Sequence, residues 1–196
     1  YQLKNSFWLE TLVNLNERLA SNEKSGRLAA HPVDLAEIKQ HVMKAGNFLK
    51  DAQNSTNSLE TRFTIANGAG HQLLTAALKM KGYRTTNEKG HRMILYDLVD
   101  ALVPGAAGAQ ESLSRAHNAR NKADYDGDDF DVTEGLVEDV VEGVKNVKEE
   151  VDLMLKQLAK SAPPATSSLS QPPANPPAPP SAGDKSSTPS KPPNKP

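Results

Sequence analysis

The chain is 196 residues long, carries a formal net charge of −1 and contains no cysteine. The lack of cysteine excludes a disulfide framework, a thiolate zinc site and a cysteine nucleophile. No stretch approaches the roughly 18 apolar residues of a membrane span, and the first residues lack the basic and apolar regions of a secretory signal.

Apolar residues recur at helical spacing from the start of the chain. The first stripe ends near Gly26 and consists of Trp8, Leu12, Leu15 and Leu19. After His31 and Pro32, Asp34 is predicted to cap a second helix. The stripe of that helix consists of Leu35, Ile38, Val42, Ala45, Leu49 and Ala52.

The polar residues 53–58 form either a turn or a polar patch within one long helix. The stripe that follows them consists of Leu59, Phe63, Ala66, Gly70, Leu73 and Ala77. The small residues within 66–70 are predicted to let another helix pack closely, and Gly82 is predicted to end this helix.

Three further helices are predicted in the second half of the chain. A short helix covers residues 93–103 and ends at Pro104, and another covers residues 110–125. An acidic turn then leads to a last helix that begins near Thr133. Its stripe consists of Leu136, Val140, Val144, Val147, Val151, Met154 and Leu158.

Proline is concentrated at the C-terminal end of the sequence. Twelve of the 14 prolines lie in residues 161–196, which contain no aromatic residue. Such a segment cannot bury enough apolar surface to offset the entropy lost on ordering. The sequence therefore predicts an all-α, up-and-down bundle of five to six helices over residues 1–160 and a disordered tail or linker over residues 161–196. Because the chain begins at Tyr1 and not at methionine, it is open to interpretation as a fragment of a longer protein.

Charge is distributed unevenly along the chain. Residues 79–122 contain eight basic and four acidic residues, or +4, whereas residues 123–152 contain two basic and twelve acidic residues, or −10. The basic zone could bind phosphate, and the acidic zone would repel nucleic acid. Alternatively, the two zones face each other within the fold or across a dimer. The basic zone consists of Lys79, Lys81, Arg84, Lys89, Arg92, Arg115, Arg120 and Lys122.

Several common binding motifs are excluded by their details. The glycine-containing segments 67–71 and 104–108 lack the lysine of a phosphate-binding loop. As an EF-hand, the acidic run that begins at Asp124 would place Asp129 at the glycine position and Gly135 at the bidentate glutamate position. A turn followed by a helix cap is the better interpretation. The five histidines form no metal-binding pattern, so we expect no metal and no cofactor.

The predicted helix over residues 110–125 carries the densest group of candidate residues. His117 lies three residues before Arg120, so the two are predicted to share a face, with Arg115 and Lys122 beside it. This face is interpreted either as an ordinary solvated helix surface or as a binding site.

Two blocks of sequence together resemble the HEPN superfamily, which comprises compact helical bundles of prokaryotic toxins, defence systems and RNA-processing proteins. The first block contains Gly82-Tyr83-Arg84 and Gly90-His91-Arg92, and the second is RAHNARNKADYD at residues 115–126. The similarity extends over about residues 33–158. It rests on the order of the helices, the Arg-Asn pair and the acidic turn after it.

In catalytic members of that superfamily, an arginine, a polar residue and a later histidine form a metal-independent ribonuclease site. The resemblance assigns the first two positions to Arg120 and Asn121, whereas Tyr125 occupies the histidine position. A phenol with an ordinary pKa of about 10 is a poor general base near neutral pH. His117 precedes the arginine, one helical turn away, and is the other candidate base.

The resemblance therefore implies a module that binds RNA, nucleotide or a partner protein without catalysis, in prokaryotic stress response or defence. The candidate binding residues are Arg84, His91, Arg92, Arg115 and Lys122, around Arg120.

Two alternatives remain open. One is a ribonuclease toxin of a toxin–antitoxin system that acts through Arg120 with Tyr125 or His117. The other is an adaptor that docks a protein partner through residues 161–196. We expect a cytoplasmic protein with no membrane partner, and the resemblance implies a homodimer.

Overall fold

The computed structural model describes residues 14–87, 93–126 and 131–161, with only the backbone for residues 121–126. The first helix, α1, covers residues 14–24 of this part of the chain. Leu15 and Leu19 are buried, as the stripe predicts, whereas Trp8 and Leu12 lie outside the described residues.

The next two helices begin at side-chain caps. Helix α2 covers Leu35–Ala52, and the Asp34 carboxylate accepts hydrogen bonds from the backbone N–H groups of Ala36 and Glu37. Helix α3 covers Leu59–Met80 and is capped by Ser58, whose hydroxyl accepts from the Thr61 N–H group. Residues 53–58 are therefore a connection between two helices and not part of one long helix.

A two-stranded ribbon that the sequence did not predict joins the ends of α1 and α3. Strand β1, Leu28–Ala30, pairs antiparallel with β2, Tyr83–Thr85, and Ala29 lies opposite Arg84. Gly82 has a φ angle of +81°, a conformation that favours glycine, and there the chain turns from α3 into β2. Strands of three residues are too short to show an alternating apolar pattern.

The predicted helix over residues 93–103 is broken in two. Helix α4 covers Met93–Asp97 and α5 covers Val99–Leu102, with Leu98 between them at φ −103° and ψ 4°. Buried apolar side chains occupy almost every position of this segment, more than one face of a straight helix can cover. The break therefore lets both parts contact the core.

The chain then passes through a 3-10 helix, Pro104–Ala109, into two longer helices. Helix α6 covers Gln110–Asp126 and α7 covers Glu134–Ser161. The Thr133 hydroxyl accepts a hydrogen bond from the Leu136 N–H group at 3.3 Å, which supports the predicted start of α7.

Helix α3 lies at the centre of the fold. It contacts α2, α4, α5, α6, α7 and β2, and buried residues occur around most of its circumference. A Cβ atom at Gly70 would lie 3.2 Å from Leu113 of α6 and 3.4 Å from Val144 of α7. The predicted close packing at this small-residue stripe is confirmed.

The all-α bundle is thus confirmed. The described residues all belong to one unit of the chain, Tyr1–Pro163. The predicted tail lies outside the described residues from residue 162 onward, so its disorder stays a prediction. Within the described ranges, no helix combines the length and the apolar character that crossing a bilayer requires.

Arg62 on α3 joins the end of α2 to the beginning of α7. Its Nε donates to the Ala52 carbonyl oxygen at 2.9 Å, and its Nη1 donates to both carboxylate oxygens of Glu134 at 2.8 and 3.0 Å. The Arg62 side chain is 11% exposed. Its charge therefore depends on these partners for compensation.

Replacing Arg62 with alanine should lower the free energy of unfolding by about 2–4 kcal/mol, because the carbonyl of Ala52 and the first turn of α7 lose their shared donor. The control is Arg115→Ala, which removes a well-exposed ion pair and should cost less than about 1 kcal/mol. Urea unfolding measures both, and equal losses for the two variants would contradict the role given to Arg62.

Candidate functional site

Helix α6 carries the largest group of predicted site residues, and its inner face fixes how it sits on the bundle. Leu113, Ala116 and Ala119 are buried, and Leu113 approaches α3 at Gly70. These apolar positions recur every three residues, which leaves the other side of α6 for polar groups.

His117 is part of the core and is only 5% exposed. Its ring stacks on Tyr96 of α4 with 4.4 Å between ring centroids and 22° between ring planes. The Tyr96 hydroxyl donates to Oδ1 of Asn67 on α3 at 3.0 Å, and both of these residues are almost fully buried. We call Asn67, Tyr96 and His117 the buried polar cluster.

Arg120 is half-buried, one turn beyond His117 on α6. The backbone of α6 continues as a helix through Asn121, Lys122 and Tyr125, whose side chains lie outside the described part of the structure. Arg120 and His117 therefore occupy neighbouring turns of one helix but differ in exposure.

Arg115 brings the basic zone into contact with the acidic zone. Its Nη2 lies 3.5 Å from Oδ2 of Asp139 on α7, and the two side chains are 57% and 62% exposed. Ion pairs as exposed as this one contribute about 0–1 kcal/mol to stability and leave both partners accessible. The interpretation that the zones face each other within the fold holds for this pair.

The remaining predicted binding residues are not gathered around α6. Arg84 is exposed on β2, a strand that packs on β1 and α3. His91 and Arg92 lie outside the described residues. Arg115 and Arg120 therefore lie on the same helix, whereas Arg84 lies on strand β2.

Lys79, the first residue of the basic zone, is held within the fold. Its Nζ donates to Oε1 of Glu37 at 2.7 Å and lies 3.2 Å from Nε2 of His31, which in turn lies 2.8 Å from Oε2 of Glu37. Hydrogen bonds from Lys79 and then from His31 lower the pKa of Glu37 from its ordinary value of 4.5 to about 2. Lys79 is 7% exposed, so its role is to pair with Glu37 within the fold.

The described arginines among the predicted binding residues, Arg84, Arg115 and Arg120, are cations and hydrogen-bond donors. Across the described side chains of residues 14–87, 93–120 and 131–161, no group of three or more histidine, aspartate or glutamate residues could hold a metal ion.

The sequence pattern identified His117 and Arg120 but neither Tyr96, on which His117 stacks, nor Asn67, which accepts a hydrogen bond from Tyr96. Asn67 is a polar residue inside the apolar stripe of α3, and Tyr96 lies within an apolar run. A polar side chain at a core position requires a hydrogen-bond partner. The polar residues within these apolar segments were therefore the sequence feature that could have indicated a buried hydrogen bond.

Comparisons with protein-family models, with curated proteins and with solved structures found no match.

The stability contributed by the Glu37 carboxylate should depend on pH. A group whose pKa is lower in the folded state stabilises the fold above its unfolded pKa, and this contribution is lost as pH falls toward the folded pKa. The unsubstituted chain should therefore have a higher free energy of unfolding than Glu37→Gln. This difference should be constant near neutral pH and shrink from pH 4.5 toward about 2.

Urea unfolding at a series of pH values measures this difference, with Glu17→Gln on an exposed position of α1 as the matched control. A difference between the chain and Glu37→Gln that stays constant down to the lowest pH would contradict the assigned pairing.

Replacing Tyr96 with phenylalanine should lower the free energy of unfolding by about 1–2 kcal/mol, because Oδ1 of buried Asn67 loses its donor. Tyr83→Phe, at a half-buried tyrosine of β2, is the control and should change stability by less than about 0.5 kcal/mol. Thermal or urea unfolding compares the two. If the two substitutions have the same effect, the hydrogen bond within the buried polar cluster contributes nothing.

Proposed function

We propose that this chain is a HEPN-like module that binds the phosphate groups of RNA or of a nucleotide through basic and polar residues of α6, without cleaving them, in prokaryotic stress response or defence. The binding residues are Arg115, Arg120, Asn121 and Lys122. Catalysis would require a general base on the same helix.

The observation that carries the proposal is the burial of His117. A general base must come within hydrogen-bond reach of the 2′-hydroxyl proton that it removes. His117 is 5% exposed and its ring is stacked on Tyr96, so the side chain of Tyr96 covers one face of the ring. Bringing RNA to this ring would require opening the contact between α4 and α6.

The remaining candidate base is Tyr125, at the position where catalytic relatives of the resembled superfamily have histidine. Its phenol has an ordinary pKa of about 10, so it is almost wholly protonated near neutral pH. A protonated phenol can donate a hydrogen bond to a phosphate but is a weak acceptor of the 2′-hydroxyl proton. This chemistry supports binding over cleavage.

The cations on α6 suit such a ligand. Arg115 is exposed and its ion pair with Asp139 is long enough, at 3.5 Å, to exchange for a stronger charge-assisted contact. A phosphate offers arginine two oxygens at once, which is the geometry that the guanidinium group favours.

The test is the salt dependence of binding to fluorescently labelled single-stranded RNA, measured by anisotropy. Each phosphate contact contributes about 0.7 to the slope of log affinity against log salt for single strands. Replacing Arg115 and Arg120 together with glutamine should lower affinity by at least about tenfold and reduce the slope by about 1.4.

The matched control is the pair Lys39→Gln and Lys50→Gln, which removes two exposed cations from α2. This control should leave both affinity and slope nearly unchanged, and circular dichroism melts establish that all variants fold. Equal losses for the two pairs would contradict a site on α6. RNA shortened by the unsubstituted chain, but left intact by Arg120→Gln, would favour the ribonuclease alternative instead.

A further inference from the structure

A groove of about 230 Å³ lies between the 3-10 helix and α7. One wall consists of Gly105, Ala106, Gly108 and Ala109, and the other consists of Asn146, Glu149, Glu150 and Leu153. None of these residues belongs to α6, the helix of the proposed RNA-binding residues. The groove is a separate feature of the fold.

The small residues of the 3-10 helix create the groove. A Cβ atom at Gly105 would overlap the side chain of Glu150, whereas a Cβ atom at Gly108 would have no neighbour within 4 Å. The glycine at 105 thus leaves room for the Glu150 carboxylate, and the glycine at 108 leaves open space. Together they form a shallow floor beside α7.

The residues from α7 form one continuous face of that helix. Asn146, Glu149, Glu150 and Leu153 are spaced i, i+3, i+4 and i+7, so they line the same side. The core face of α7 is a different stripe that includes Val144, Val147 and Val151. The face along the groove is unpartnered beyond the small residues opposite it.

The two carboxylates of this face differ from most of their neighbours on α7. Glu134 pairs with Arg62, Asp139 with Arg115, Glu142 with Lys145 and Asp152 with Lys148. Glu149 and Glu150, by contrast, have neither a hydrogen bond nor an ion pair among the described side chains of residues 14–87, 93–120 and 131–161. Two uncompensated negative charges thus face one groove.

An apolar side chain lies next to these charges. Leu153 is 53% exposed, one of three large apolar residues with such exposure among those described. A carboxylate pair beside an exposed leucine is complementary to a side chain with an apolar stem and a cationic end. Lysine and arginine are the side chains with that composition.

We propose that this groove is the docking site for a basic segment of a partner protein, which inserts a lysine or arginine side chain. The aliphatic stem packs on Leu153 and on the small residues of the 3-10 helix. The cationic end lies between Glu149 and Glu150 and donates to the amide oxygen of Asn146. Charge complementarity selects this partner and rejects the RNA proposed for α6, so the groove binds independently of that function.

The experiment is an NMR titration of the ¹⁵N-labelled full chain with a capped peptide of alternating glycine, lysine and leucine. The same peptide with glutamate in place of lysine is the ligand control. The lysine peptide should shift amide signals of the 3-10 helix and of residues 146–153 in a saturable manner, and the glutamate peptide should not.

Three variants test the contacts. The pair Glu149→Gln and Glu150→Gln should weaken binding at least about tenfold, because it removes both unpaired charges. The pair Glu138→Gln and Glu142→Gln removes the same charge from α7 outside the groove and should weaken binding by less than about threefold. Gly108→Gln, which fills the open space without changing charge, should also weaken binding at least about tenfold.

Several outcomes would overturn the proposal. Equal losses for the two glutamine pairs would mean that the peptide responds only to the overall charge of α7. Unchanged binding by Gly108→Gln, or the lack of saturable shifts at the groove, would exclude insertion there. Free spermidine that binds the same amides as tightly as the peptide would identify a small amine as the ligand in place of a protein.

Discussion

The fold depends on the close approach of other helices to α3, which is buried around most of its circumference. This approach is possible because α3 has small residues where α6 and α7 meet it, most clearly at Gly70. A larger residue there would have to displace Leu113 or Val144. Packing at this position determines where α6 lies and thus which of its side chains turn inward.

The burial of one side of α6 determines which of its residues can reach a ligand. At the helix surface His117 would be a candidate base beside Arg120, but the packing of α6 on α3 and α4 places its ring against Tyr96. Asn67 then satisfies the Tyr96 hydroxyl inside the core. Burying these polar groups is favourable only because they interact with one another. The same packing leaves Arg115 exposed and Arg120 half-buried on α6.

In the folded chain, part of the charge of the basic and acidic zones is paired with other residues. The basic zone is less available than its +4 charge suggests, because Lys79 is held by Glu37 and Arg115 contacts Asp139. The acidic zone is also partly compensated, since Arg62 and two lysines pair with carboxylates of α7. On α7, the described carboxylates without a hydrogen bond or ion pair are Glu138, Glu149 and Glu150, and the last two line the groove beside the 3-10 helix.

Local features of the fold could be predicted from the sequence, whereas contacts between distant residues could not. The Asp34 cap and the stripe of α2 were predictable because caps and apolar spacing act within one or two turns. The ribbon was too short to show a pattern. Arg62 and Glu134 are 72 positions apart, and no spacing rule connects them. The stacking of His117 on Tyr96 likewise joins two different helices, α6 and α4, and no local spacing predicts it.

The central claim is that His117 is sealed in the core of the folded chain, and its reactivity toward diethyl pyrocarbonate tests this most directly. Acylation of each histidine is followed by mass spectrometry in the native chain and in the same chain unfolded by urea. We expect His117 to react at least about a hundredfold more slowly when the chain is folded, with a free energy of opening of about 3 kcal/mol or more. Equal rates in the folded and unfolded chain would contradict the claim and would return His117 to the candidates for catalysis.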